Sequence, residues 1–292
     1  MKKAYVVVAA VFAAVACRGG ESHADEIVAR VLANVEKIKA ECPQAVPMAF
    51  WDMDGTIIKG DISEGLEDGR RTKLYKGLIE RTIEAGLNSV YPADGGWERY
   101  WQRDYPRLKE IGRWLAWPLN AQMYYGQSVA ELDAFCEAEC DRVYRKWYFE
   151  SSMKMWRALE KAGVENYVVS GSPEIFVRNA AKSLGVPAWR CRGQRVETSG
   201  DRMTARAVYP VPNGEGKVEI VRELMQARGC AAAVAAFGNS YSTDGAFLRF
   251  VATQPSLPGG ARGTAVMING GDPVPGYSEH FVLVEQDEVC RE

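Results

Sequence analysis

Two aspartates two residues apart, in Asp52-Met53-Asp54-Gly55-Thr56, are the first residues of this 292-residue chain that could do chemistry. Carboxylates at that spacing can divide labour, one attacking as a nucleophile while the other gives and takes protons. Gly55 permits a tight turn and leaves backbone N–H groups open to an anion. Ser170-Gly171-Ser172-Pro173 supplies a hydroxyl and free N–H groups where a strand gives way to a helix, a seat for phosphate. Lys217, in Asn213-Gly214-Glu215-Gly216-Lys217, sets a cation at the start of the next helix. Gly238-Asn239-Ser240-Tyr241-Ser242-Thr243-Asp244 offers oxygen ligands to a hard cation such as Mg²⁺. Each motif alone has a plainer reading; an Asp pair at a strand end also serves as a turn or a helix cap. Gly216-Lys217 is no P-loop, since Val218 replaces the Ser or Thr and Val211 the first Gly.

The elements around these motifs alternate. Apolar residues at Ile27, Val28, Val31, Leu32, Val35 and Ile38 predict a helix over 25–40, which Pro43 and Pro47 end. Met48–Trp51 reads as a buried strand that delivers the Asp pair at its C-terminal end. Helix Met153–Ala162, strand Val164–Val169 and helix Pro173–Leu184 follow a long middle section, with Pro173 suited to a first helical turn. Gln194–Val211 alternates as a hairpin, helix Lys217–Arg228 leads into strand Ala231–Phe237, and Thr264–Ile268 and Phe281–Val284 are further strands. Strands alternating with helices predict βαβ units around a parallel sheet, an α/β fold whose ligands sit at the carboxyl ends of the strands. The core spans 25–59 and 151–292, and residues 60–150 form a helical insertion.

The order of acid pair, serine, lysine and acid resembles the haloacid dehalogenase superfamily of aspartate-nucleophile phosphatases, from about Met48 to the C-terminus. The family's DxDGT motif is matched by Asp52 to Thr56, its second-motif serine by Ser170, its third-motif lysine by Lys217 and its fourth-motif acid by Asp244. The resemblance implies a three-layer Rossmann-like sheet with a C1 cap inserted after the first motif, as in the phosphoserine phosphatase branch. Within that branch, the exported phosphocholine phosphatases are similar in signal and motif spacing. It also implies a Mg²⁺-dependent hydrolysis of a small phosphomonoester, with Asp52 as nucleophile and Asp54 as acid and base. Ser170, Lys217 and the backbone N–H groups of Met53 and Gly171 would hold the phosphate; Asp52, Asp54 through its carbonyl, Asn239 and Asp244 would hold the metal. Asn239 stands where the family usually has Asp, which removes a charge from the metal site. A phosphotransferase would share every motif, and a non-catalytic envelope lipoprotein is the alternative outside enzymes.

Half of the chain's 30 aromatic residues fall between Gly60 and Glu150. Such a cap could cage a quaternary ammonium, with Trp97 and Trp101, one turn apart, as first candidates; the plainer reading is that they pack the cap's own core. Asp61 and Glu64, at the start of the insertion, either meet a substrate cation or cap a helix.

Composition closes other routes. Thirty-six basic against 38 acidic residues leave a net charge of −2, with no basic surplus to grip nucleic acid. His23 and His280 are the only histidines, and neither sits in HExxH or beside a second histidine, so most His-dependent metal and triad chemistries drop out. Lys2 and Lys3 precede 13 uncharged, mostly apolar residues, too few to span a bilayer, which predicts an export signal over 1–17. Ala14-Val15-Ala16-Cys17 is similar to a bacterial lipobox, so the expectation is a periplasmic protein or a lipoprotein anchored through lipidated Cys17. Six further cysteines would then meet an oxidising compartment, and no CxxC pair is present.

Overall fold

The computed structural model describes residues 20–254 and 257–290; the expected export signal and Cys17 lie outside the described residues. Helix α1 (Gly20–Glu41) buries Ala24, Ile27, Val31, Val35 and Ile38, the stripe expected from their spacing. Strand β1 (Val46–Trp51) follows, buried on both faces as a central parallel strand must be.

The chain then leaves the sheet. It forms an antiparallel hairpin, β2 (Gly65–Glu67) and β3 (Lys73–Lys76), where only helix was expected. Strands this short hold too few residues to show an alternating period, which is why the sequence pattern missed them. Helices α2 (Leu78–Glu84), α3 (Gly96–Arg99), α4 (Tyr105–Ile111), α5 (Arg113–Gln122) and α6 (Val129–Glu139) complete the segment. Its outgoing and returning chains run side by side, Lys59 N–H donating to the Trp147 carbonyl (2.8 Å) and Phe149 N–H to that of Ile57 (2.9 Å).

Back in the sheet, the elements are α7 (Glu150–Lys161), β4 (Glu165–Pro173), α8 (Glu174–Lys182), β5 (Cys191–Ser199) and β6 (Arg202–Val208). They are followed by α9 (Glu215–Arg228), β7 (Ala231–Gly238), α10 (Gly245–Thr253), β8 (Thr264–Ile268) and β9 (Phe281–Val284). One expectation is corrected here. Ser170–Pro173 belongs to strand β4, and the helix opens only at Glu174. Pro173 biases Ser172 towards extended backbone and itself pairs with Gln194 of β5.

The seven strands are ordered β6-β5-β4-β1-β7-β8-β9, parallel except for β6. Along β1, Ala49 and Trp51 face the cluster built with α1, α7 and α8, while Met48 and Phe50 face α9 and α10. Three layers result, helix on sheet on helix. The run of alanines in β7 gives Trp51 room to stack on Phe237 at 3.6 Å between ring centroids. The Trp51 indole N–H, buried by the same packing, donates to Asn166 Oδ1 at 3.0 Å. All six described cysteines are free thiols, three of them buried.

Candidate active site

Strand order places the site. Moving outward from β1, the sheet continues through β4 on one side and β7 on the other, and the crevice at this switch point opens at the strands' carboxyl ends. Asp52 leaves β1 there, its N–H donating to the Phe237 carbonyl of β7 at 2.9 Å. Lys217, in the first turn of α9, is 1% exposed and reaches between two carboxylates, donating to Asp52 Oδ1 and Asp244 Oδ1 at 2.6 Å each. Asp244 Oδ2 accepts the backbone N–H groups of Asn239 (2.9 Å) and Ser240 (3.0 Å), so this one carboxylate ties the loop after β7 to the lysine. Burial and then the charge of Asp244 push the Asp52 carboxyl well above its ordinary value, against the pull of Lys217. Burial works against charge on Lys217, yet Asp244 and Asp52 hold its ammonium above the usual value.

Asp54 sits in a different environment. Its Oδ1 accepts the Ile62 N–H (2.7 Å), and its Oδ2 accepts the hydroxyls of Ser172 (2.7 Å) and Ser170 (3.1 Å). Ser63 in turn donates to Ser172 Oγ at 2.7 Å, extending the network into the insertion. Burial first, and the charge of Asp61 second, raise the Asp54 carboxyl to about 7. A carboxyl poised there can give and take a proton near neutrality. The turn between the two acids needs glycine: Gly55 has φ +67°, and the Asn239 side chain fills the space a Cβ would take.

The cavity above these groups has a volume of about 340 Å³. Asp52, Asp54, Lys217 and Asn239 floor it; Asp61, Glu64, Tyr105, Lys109, Arg113 and Trp117 wall it from the insertion. Trp117 lies so close to β4 that a Cβ on Gly171 would stand 2.8 Å from its ring. The expected residues therefore converge, with differences of detail. Ser170 is wholly buried behind Asp54, and of the two serines of this motif it is Ser172 that lines the cavity. The Met53 side chain is in the core, its carbonyl accepting the N–H groups of Ile57 (2.9 Å) and Ile58 (3.0 Å). Trp97 and Trp101 do not line the cavity, a correction to their expected role as cage residues. Their rings stack on each other at 5.3 Å, with Lys73 over Trp97 at 4.6 Å, so neither turns a face to the site. Ser172 lies in the Ser170-Gly171-Ser172-Pro173 motif, but only the fold shows that its hydroxyl, rather than that of Ser170, faces the cavity. Tyr105 and Trp117 stand in the sequence only among the insertion's aromatics, and nothing local marks Lys109 or Arg113, because all four meet Asp52 only when the insertion folds over the sheet.

Among the described residues no group of three or more His, Cys, Asp or Glu side chains forms a metal cluster. The donors beside Asp52 nevertheless suit a hard divalent cation. Asp52 and Asp244 are buried carboxylates, Asn239 adds an amide on the cavity wall, and Lys217 is the one ammonium that contacts these two acids. A site with that deficit of positive charge fits Mg²⁺ held by Asp52, Asp244 and Asn239.

The haloacid dehalogenase-like hydrolase family matches residues 49–249 of this chain. A protein of unknown function from Bordetella pertussis Tohama I superposes with a TM-score of 0.60 at 19% identity, over 82% of this chain and 99% of that one. A HAD-family hydrolase from Salmonella enterica serovar Typhi gives 0.51 at 16% identity, over 83% of this chain and 68% of that one. Both likenesses concern the fold. No curated protein matches the chain.

Proposed function

The chain belongs to the haloacid dehalogenase-like hydrolase family, and on that premise we propose that it is a phosphomonoester hydrolase acting through an aspartyl-phosphate on Asp52. The observation that carries this reading is the buried cluster at the end of β1, with Lys217 shared by Asp52 and Asp244 and with Asp54 held apart by hydroxyls. Asp52 Oδ attacks phosphorus, and the P–O bond to the leaving group breaks as the new O–P bond forms. Lys217 offsets the negative charge that two anions bring together. Asp54 passes its proton to the leaving oxygen, then takes one from the water that displaces Asp52 and frees inorganic phosphate. Ser170 and Ser172 keep the Asp54 carboxyl turned to that task. Mg²⁺ on Asp52, Asp244 and Asn239, with the Asp54 carbonyl, would neutralise phosphoryl charge when bound.

The substrate in this reading is a small phosphorylated metabolite. A choline head group loses support, because the cavity wall carries Lys109 and Arg113 and lacks Trp97 and Trp101. Export stays part of the proposal, with residues 1–17 as signal; loss of lipid labelling in Cys17→Ser would identify the lipoprotein form.

Turnover of a generic aryl phosphate with Mg²⁺ tests the reaction, and chelation should abolish it. Asp52→Asn is expected to fall below about one-thousandth of wild-type activity, because an amide is no nucleophile. Substantial turnover in the purified variant would remove the covalent mechanism.

A further inference from the structure

Resting on the hydrolase reading, we infer that the substrate's leaving group carries a negative charge of its own, held between Lys109 and Arg113. Lys109 stands in the last turn of α4 and Arg113 opens α5, and the corner at Gly112 turns both onto the wall of the cavity that holds Asp52 and Asp54. Each cation stands over a ring of its own helix, Lys109 Nζ at 5.1 Å from the Tyr105 centroid and Arg113 Cζ at 5.9 Å from that of Trp117.

Neither cation forms an ion pair or a hydrogen bond with a protein group among the described residues. Their neighbours differ. Arg99 and Arg103 are both engaged by Asp104, and Lys217 by Asp52 and Asp244. On the same wall, Asp61 has protein donors: its Oδ1 accepts the N–H groups of Ser63 (2.7 Å) and Glu64 (2.8 Å). Glu64 feels the Lys109 charge without reaching ion-pair distance. Lys109 and Arg113 are thus exposed cations on the cavity wall without a protein acceptor among the described residues, and an anion entering the cavity can pair with both.

A guanidinium fork beside an ammonium fits the paired oxygens of a carboxylate or a second phosphate. Lys217 lies on the floor and serves the reacting phosphate, whereas these two cations belong to the wall facing the departing group. A cation in that place, such as a trimethylammonium, would meet two like charges.

The test compares kcat/KM for 3-phosphoglycerate, glycerol 3-phosphate and glycerol 1,3-bisphosphate. The first two differ only in a carboxylate against a hydroxymethyl; the third asks whether a second phosphate serves as well. Wild-type protein should prefer the charged members by roughly tenfold or more, and K109A/R113A should bring the ratio to within about twofold of one, mainly through KM. Equal rates in the wild type, or a preference that survives in the double variant, would overturn the inference. Should no phosphomonoester be turned over, the hydrolase reading fails by itself. Calorimetric titration with the same compounds then decides the charge question: tighter binding of 3-phosphoglycerate that the double variant loses supports it, and equal binding refutes it.

Discussion

Lys217 is the residue on which the site's electrostatics turn. Two carboxylates share its ammonium at 2.6 Å in a place that is almost wholly buried. Removing one member of such a cluster leaves uncompensated charge rather than a missing contact. Lys217→Met should therefore cost about 3–5 kcal/mol of stability at pH 8. The loss should shrink towards pH 5, where Asp52, its carboxyl raised by burial, can take up a proton; urea unfolding at the two pH values measures it, and an equal loss at both would refute the charge argument. Ser172 acts on the other acid. Its hydroxyl favours ionised Asp54, so Ser172→Ala should move the Asp54 titration above about 7 and lower kcat roughly tenfold. A pH–rate profile with an unmoved limb would show that Ser172 does not hold the acid.

At the scale of elements, the contact between α5 and β4 decides how the insertion sits over the strands' ends. Gly171 and Trp117 meet there without room for a methyl group. Gly171→Ala must displace the indole and α5 with it, at a cost of about 1–3 kcal/mol as for other overpacked sites. Because Arg113 and Trp117 ride on α5, kcat/KM should fall while the sheet's melting cooperativity remains. Full activity in this variant would mean that the insertion closes without that contact. The β5–β6 hairpin braces the same region from below, Gly126 N–H donating to the Met203 carbonyl at 2.8 Å and Val129 N–H to that of Asp201 at 2.8 Å.

For the whole molecule, a cavity walled by half-buried acids makes stability depend on pH. Burial, and then the charge of Glu64, raise Asp61 from 3.8 to about 7 in the folded state. The folded protein thus binds this proton more tightly than the unfolded chain does. The contribution is fully present below about pH 4 and is lost as pH rises through about 7. Asp61→Asn keeps an oxygen for the N–H groups of Ser63 and Glu64 but cannot ionise. Its Tm should vary less between pH 4 and 7 than the wild type's and should exceed it above pH 7. Parallel Tm profiles for the two proteins would exclude Asp61 as the titrating group.

Much of the fold was legible because its physics is local. Helix 25–40, strands Thr264–Ile268 and Phe281–Val284 and the hairpin within 194–211 announce themselves by apolar period, and the four motifs by residue type beside a strand end. Short-range sterics and amphipathicity act between near neighbours, so a linear pattern records them. The hairpin of Gly65–Glu67 with Lys73–Lys76 is too short to leave such a record, and β4 outran its expected end because a neighbouring strand pairs with Pro173. The cavity wall lies further from the sequence's reach. Tyr105, Lys109, Arg113 and Trp117 stand some 50 to 65 positions from Asp52 and carry no signature of their own. Trp97 and Trp101, chosen from aromatic spacing alone, turned to each other instead. Residue type and spacing determined which groups could do the chemistry; only the packing of the insertion against β4 decided which side chains would face it, because that choice depends on contacts between distant segments.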